Sequence, residues 1–292
     1  MSHPSRSREV SHAEPVMGTV VSYRLEPGQL SEDEALDALA ASTSELHRLD
    51  DLFSTWKPDS PMSRLRRDEL AAPVPGEIEI VLELCAAAKD VTGGWFDPWA
   101  MPGGVDPTGL VKGWALERAA DALRARGVRA AMVNGGGDIV TFGTRTPPAD
   151  EPGAPEARAE GAFESTWPIG IRHPWRPEAL ACVVLLESGG SIATSGTYER
   201  GDHLIDPFAS PSGAARAGLR HPGDRRVVSA SVVGASLAMA DAFATALAVA
   251  GAEGAELAER LITLGYESYR IFEDGAEDST PRFPLAEAAA RS

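Results

Sequence analysis

The chain has 292 residues, 43% of them hydrophobic and 24% charged, enough apolar content to bury one sizeable core or two smaller ones and too much for disorder throughout. Asp and Glu outnumber Lys and Arg 43 to 27, which gives a formal net charge of -16. The basic residues are dispersed, and this argues against nucleic acid as a partner.

The opening stretch MSHPSRSREVSHAEPV is polar and lacks the apolar centre of a secretory or lipoprotein signal. We expect a cytoplasmic protein without a membrane anchor, with residues 1–14 as a disordered tail and 15–273 as a single domain. The β-branched and aromatic content of MGTVVSYRL, from Met17 to Leu25, predicts a strand. Ser31 and Glu34 then form a capping box, and Leu36, Leu39, Leu46, Leu49 and Phe53 recur at helical spacing, so a helix is predicted over 31–53. A second helix should follow Pro75 and stop at Gly93-Gly94, and a third should run from Lys112 to Arg126 and end at Gly127. Cys85 and Cys182 are far apart without metal-ligand spacing, and both are expected as small buried fillers rather than a disulfide or zinc pair.

Strand AAMVN leads into the glycines of VNGGGDIV. The segment at about 144–166 is too rich in Pro, Ala and Glu to pack, and is expected as a mobile insertion or long surface loop. Strands are predicted at 167–172, 181–187, 191–194 and 203–205, with a loose loop at about 209–226 before the strand VVSASVV. The next segment, ASLAMADAFATALAVAGA at 235–252, tempts a membrane-span assignment. Its alanine content and the central Asp241 favour a buried helix instead. A helix at 252–264, the strand ESYRIF and a polar tail at 274–292 complete the chain. Strands and helices come in mixed runs, so the expected class is α+β with largely antiparallel sheets.

Asp241 and Thr245 lie one helical turn apart on the same face. Their oxygens suit Mg²⁺, which takes few protein ligands and completes its shell with water and phosphate. The alternative is a carboxylate satisfied by a neighbouring loop and a threonine bonded back to its own helix. The glycines of VNGGGDIV allow either close backbone approach to a ligand or a tight hairpin turn, and the pattern matches no dinucleotide or Walker fingerprint. Asp106, Gly109 and Lys112 sit in a loop before a helix, where the lysine is either a phosphate ligand or a solvated residue. IATSGTYER supplies Thr194, Ser195 and Gly196, and HLIDP supplies His203 and Asp206. His203 is a candidate general base. A hydrolytic triad of Ser195, His203 and Asp206 is disfavoured because the serine lacks the G-x-S-x-G elbow.

In order, MGT, FSTWKPDSPMSRL, GWFDP, VDPTGLVKGWALERAADAL, VNGGGDI, IATSGTYER, HLIDP and VVGASLAMADAFATAL resemble the ApbE family of flavin transferases, from Met17 to about Gly251. The resemblance implies a T-fold-like α+β architecture that binds FAD as substrate. It also implies Mg²⁺-dependent transfer of FMN to a Thr or Ser hydroxyl of an acceptor flavoprotein, with release of AMP. Mg²⁺-dependent hydrolysis of FAD to FMN and AMP, or flavin binding without catalysis, are the alternatives. On this resemblance the metal falls to Asp241, Thr245 and the carbonyl of Val111, with Asp241 and His203 as catalytic residues. Flavin contacts fall to Met17, Trp56, Asp97, Asp106, Lys112, Asn134, Gly135, Gly136, Gly137, Asp138, Thr194, Ser195 and Gly196. Two departures stand out. Phe208-Ala209-Ser210 replaces a common R-T-G after Asp206-Pro207, and Arg66 stands where asparagine is usual.

Overall fold

The computed structural model describes residues 9–146, 166–196, 205–208 and 225–286. Strands β1 (Val10–Val16) and β2 (Thr19–Glu26) form an antiparallel hairpin. Met17 and Gly18, at φ 54° and 69°, make its two-residue turn, the left-handed geometry whose twist matches paired strands. Met17 is therefore a turn residue and not the start of a strand. Residues 10–14 belong to an edge strand and not to a tail. Pro15 is tolerated there because an edge strand has a side that needs no ladder donor.

Helix α1 (Glu32–Phe53) carries the full Ser31–Glu34 capping box. Helix α2 (Pro61–Arg66), capped by the Ser60 hydroxyl, has no counterpart in the sequence expectations because six residues are too few to show a period. Helix α3 (Gly76–Thr92) ends at Gly93 in the left-handed conformation, as predicted. Helix α4 (Thr108–Ala125) starts four residues before the expected Lys112. Asp106 accepts the Thr108 N–H at 3.1 Å and so satisfies one donor of the first turn. Gly109 to Lys112 thus lie in a helix rather than a loop.

Strands β3 (Ala130–Gly135), β4 (Asp138–Phe142), β7 (Ser191–Gly196), β8 (Val227–Gly234), β9 (Glu267–Phe272) and β10 (Glu277–Ser279) join β1 and β2 in one sheet of order β1-β2-β3-β4-β7-β8-β9-β10. Every pairing in it is antiparallel. Strands β5 (Thr166–His173) and β6 (Arg176–Glu187) form a separate hairpin. Helices α5 (Leu237–Ala250) and α6 (Gly254–Ile262) lie between β8 and β9 in the chain. The result is the expected α+β class.

The sheet has a core on each face. On one side Val133, Val140, Ala193 and Val232 pack with Leu110, Leu116, Phe243 and Leu247 from α4 and α5. On the other, Ile139, Ile192 and Ile271 pack with Trp167, Ile169 and Val184 of the hairpin. The stretch Leu237–Ile262 is long and apolar enough to cross a membrane by composition alone, and 78% of its most apolar window is buried inside this fold.

The expected polar tail from 274 onward is corrected as far as residue 286. It contributes β10, buries Phe283 against Tyr269, and runs Leu285 antiparallel to Val184. The expected insertion at 144–166, the loop at 209–226 and the strand at 203–205 fall largely outside the described residues. Of the last, Ile205 is described and is not in a strand.

Candidate active site

Helices α4 and α5 cross at Gly113. A Cβ on this residue would lie 2.5 Å from the Leu237 carbonyl oxygen, so only glycine permits the approach. The crossing brings the Gly113 N–H to Asp241 Oδ2 at 3.3 Å, with Asp241 only 3% exposed. One turn on, the Thr245 hydroxyl meets the Ser195 hydroxyl of β7 at 3.1 Å. Gly109, in the first turn of α4, packs so closely that a Cβ there would lie 3.4 Å from Thr245 Oγ1 and 3.1 Å from the Phe96 ring. Val111 lies between these glycines and is buried. Asp241, Thr245 and Ser195 therefore meet at one junction of α4, α5 and β7.

The same helix turn anchors a second polar cluster. Lys112 Nζ lies 2.5 Å from Asp138 Oδ2, and the Asp138 side chain is fully buried. Its other oxygen accepts the Thr194 N–H at 3.1 Å, and Thr194 shares a 2.8 Å hydrogen bond with Ser231. The Lys112 ammonium, expected in the first turn and facing phosphate or solvent, is in the second turn with its charge matched by a buried carboxylate. The VNGGGDIV segment forms a hairpin turn. Gly136 and Gly137 take φ 67° and 99°, and Asn134 Oδ1 accepts the Gly137 N–H at 3.0 Å. Gly135 leaves room for the buried Leu116 side chain, whose methyl would lie 2.9 Å from a Cβ there.

Of the remaining expected residues, Trp56, Asp97, Asp106 and Gly196 are described, each with partners of its own. Asp97 accepts the Trp99 N–H at 3.0 Å and pairs with Lys89 at 2.8 Å. It lines a cleft of about 430 Å³ with Lys89, Asp90, Gly93, Gly94, Pro207 and Phe208. Phe208 packs its edge on Trp95, with ring centroids 5.1 Å apart, and Asp206 accepts the Phe208 N–H at 2.9 Å. Asp106 pairs with Arg66. Gly196 closes β7 opposite Ser229. Trp56 is 92% exposed in the connection between α1 and α2. His203 lies outside the described residues.

Sequence reasoning missed Glu117. It follows Gly113 by one turn on the same face of α4, and its Oε1 accepts the backbone N–H groups of Leu237 and Ala238 at the start of α5. Burial pushes its carboxyl pKa up, against the lowering effect of the Ser236 hydroxyl and these two N–H groups. The i, i+4 relation to a glycine before a buried helix was the only signal available.

Among the described residues no group of three or more His, Cys, Asp or Glu forms a metal cluster. One buried carboxylate beside two hydroxyls is instead the sparse oxygen set that suits Mg²⁺, because that ion keeps most of its shell for water and phosphate. The residues present fit such an ion.

The chain matches the ApbE family over residues 17–103 and 99–266. It is 32% identical over 191 residues to the FAD:protein FMN transferase of Rhodobacter capsulatus, covering 61% of this chain and 30% of that protein. It is 30% identical over 157 residues to that of Vibrio cholerae, covering 51% and 39%. The matched stretches thus span well under half of these relatives. Among solved structures, the ApbE protein of Thermotoga maritima superposes with a TM-score of 0.74 at 20% identity, covering 94% of this chain and 98% of that one. The flavin transferase ApbE of Vibrio cholerae gives 0.70 at 22%, with the same coverage. At these identities the superpositions speak for the fold alone. With the sequence match running from the β1–β2 turn to the end of α6, the chain belongs to the ApbE family.

Proposed function

We propose that this protein transfers FMN from FAD to a Thr or Ser hydroxyl of an acceptor flavoprotein and releases AMP, in a Mg²⁺-dependent reaction. The observation that carries the reading is the meeting of Asp241, Thr245 and Ser195 at the α4–α5–β7 junction in a chain of this family. The relatives named FAD:protein FMN transferase support the substrate.

In the transfer, the acceptor hydroxyl oxygen forms a bond to the FMN phosphorus, the pyrophosphate bridge breaks, and AMP departs. Mg²⁺ bound by Asp241, Thr245 and the Val111 carbonyl would supply charge neutralisation on the pyrophosphate oxygens. Asp241 supplies the one formal charge of that set, and the Gly113 N–H fixes its orientation. Ser195 can accept the Thr245 proton, which leaves the threonine oxygen lone pairs for a cation. Lys112 and Asp138 form a neutral pair that adds rigidity without adding net charge. His203 is assigned the proton of the attacking hydroxyl. Phosphoryl transfer asks chiefly for positioning and charge stabilisation, and a rigid buried junction supplies both.

The test is to incubate the protein with FAD, Mg²⁺ and candidate acceptor flavoproteins, then measure AMP and covalent flavin fluorescence on denaturing gels. Wild type should yield both, and Asp241→Ala should lose at least about a hundredfold in rate, the scale of removing one charge-stabilising group. AMP without a fluorescent band would make the protein an FAD pyrophosphatase. FAD binding without AMP would make it a flavin carrier.

A further inference from the structure

Arg66, the last residue of α2, reaches across to the loop that launches α4. Its Nη1 lies 2.5 Å from Asp106 Oδ2, with the two side chains only 15% and 14% exposed. Its Nη2 donates to the Pro102 carbonyl at 2.8 Å. The backbone of Arg66 is engaged too. Gly104, at φ 105°, passes so close that a Cβ would lie 2.6 Å from the Arg66 carbonyl oxygen. A planar guanidinium can serve a carboxylate and a carbonyl together, which an ammonium does less well.

Asp106 transmits this grip. One carboxylate oxygen takes Arg66, the other takes the Thr108 N–H at the start of α4, and its own N–H donates to the Pro98 carbonyl at 2.9 Å. The 98–106 loop is therefore closed on itself and pinned to α2. The next two turns of α4 contain Gly109 against Thr245, Lys112 against Asp138 and Gly113 against Asp241.

We propose that Arg66 is a positioning residue for flavin binding, acting through Asp106 and the 102–106 loop on the first turns of α4. This rests on the flavin-transfer reading above. The side-chain hydrogen bonds of Arg66 run to Asp106, Pro102 and Gly103 rather than to Asp241 or Thr245, so its loss should loosen the 98–106 loop more than it disturbs the reacting centre. The signature is a raised KM for FAD with kcat nearly kept.

Arg66→Ala, Arg66→Lys, Asp106→Ala and the Arg66→Ala/Asp106→Ala double variant separate the possibilities. In the ligand-free full chain, amide hydrogen exchange over 102–108 should quicken in Arg66→Ala. The FAD dissociation constant, read by flavin fluorescence without Mg²⁺, and the KM should both rise roughly tenfold with kcat within about twofold. Arg66→Lys should recover part of the loss. The double variant should lose less than the product of the two single losses, because the pair shares one interaction and only the bonds from Arg66 to the Pro102 and Gly103 carbonyls are independent of Asp106. Unchanged exchange and FAD affinity in Arg66→Ala, or multiplicative losses in the double variant, would overturn the assignment and leave the flavin reading standing. Wild type that binds no FAD at all would overturn both.

Discussion

Asp241 sits in a helix whose other buried residues are apolar, among them Ala240, Ala242 and Phe243. A carboxylate buried there without partners would cost on the order of several kcal/mol. The Gly113 N–H is one partner, and it is available only because Gly113 has no side chain. Gly113→Ala should therefore act at two levels. Forcing a methyl against the Leu237 carbonyl should cost about 1–3 kcal/mol of stability, the usual range for overpacking, and should move Asp241 away from its donor. Urea denaturation and Mg²⁺ titration of the same variant check both effects. A variant as stable as wild type would mean that α4 and α5 separate at little cost, and that the tight crossing is not what orients Asp241.

At the scale of elements, Glu117 joins the two site helices a turn beyond Gly113. Glu117→Ala should lose about 0.5–2 kcal/mol, as for removal of a helix cap. Glu117→Gln keeps an acceptor oxygen and so isolates the charge. Burial raises this carboxyl pKa above its ordinary 4.5, so the folded state holds its proton more tightly than the unfolded one. The stability contributed by Glu117 is then greatest at low pH, and declines as pH rises from about 4.5 through the raised value. Relative to Glu117→Gln, wild type should lose ground across that window. Urea midpoints collected from pH 4 upward, on the order of half a unit apart, test this, and a difference that stays flat with pH would show that the charge is not strained.

The same scale shows what the sequence could reveal. Helix α1 was legible from its capping box and apolar spacing, and α3 from Pro75 and Gly93, because these signals are local. The start of α4 was misplaced because its first turn depends on Asp106, which is held in turn by Arg66 forty positions away. Asp241 and Thr245 could be paired from their spacing alone. Ser195 could not be joined to them that way, since fifty positions and a sheet crossing separate it from Thr245. Strand β1 escaped because the inward positions between Val10 and Val16 are His12 and Glu14 rather than apolar side chains.

At the scale of the whole molecule, the sheet divides two kinds of work. Its helix-facing side carries Asp138 and Ser195 toward α4 and α5, while its opposite side packs under the β5–β6 hairpin. The C-terminal segment fastens that hairpin. Phe283 stacks on Tyr269 with ring centroids 5.5 Å apart, the Leu185 N–H donates to the Pro284 carbonyl at 2.9 Å, and the Ala286 N–H donates to the Val183 carbonyl at 2.8 Å. Phe283→Ala should then cost about 3–5 kcal/mol, as for other buried aromatic truncations. That is a large share of the 5–15 kcal/mol or so that holds a typical domain together. Because the loss falls on the face away from Asp241, the FAD affinity and the Mg²⁺ dependence proposed above should stay at wild-type values in the folded fraction. Chemical denaturation paired with FAD titration at low temperature measures both quantities on one sample. A weakened flavin affinity alongside the lost stability would mean that the two cores are coupled through the sheet, and that the hairpin side shapes the site as well.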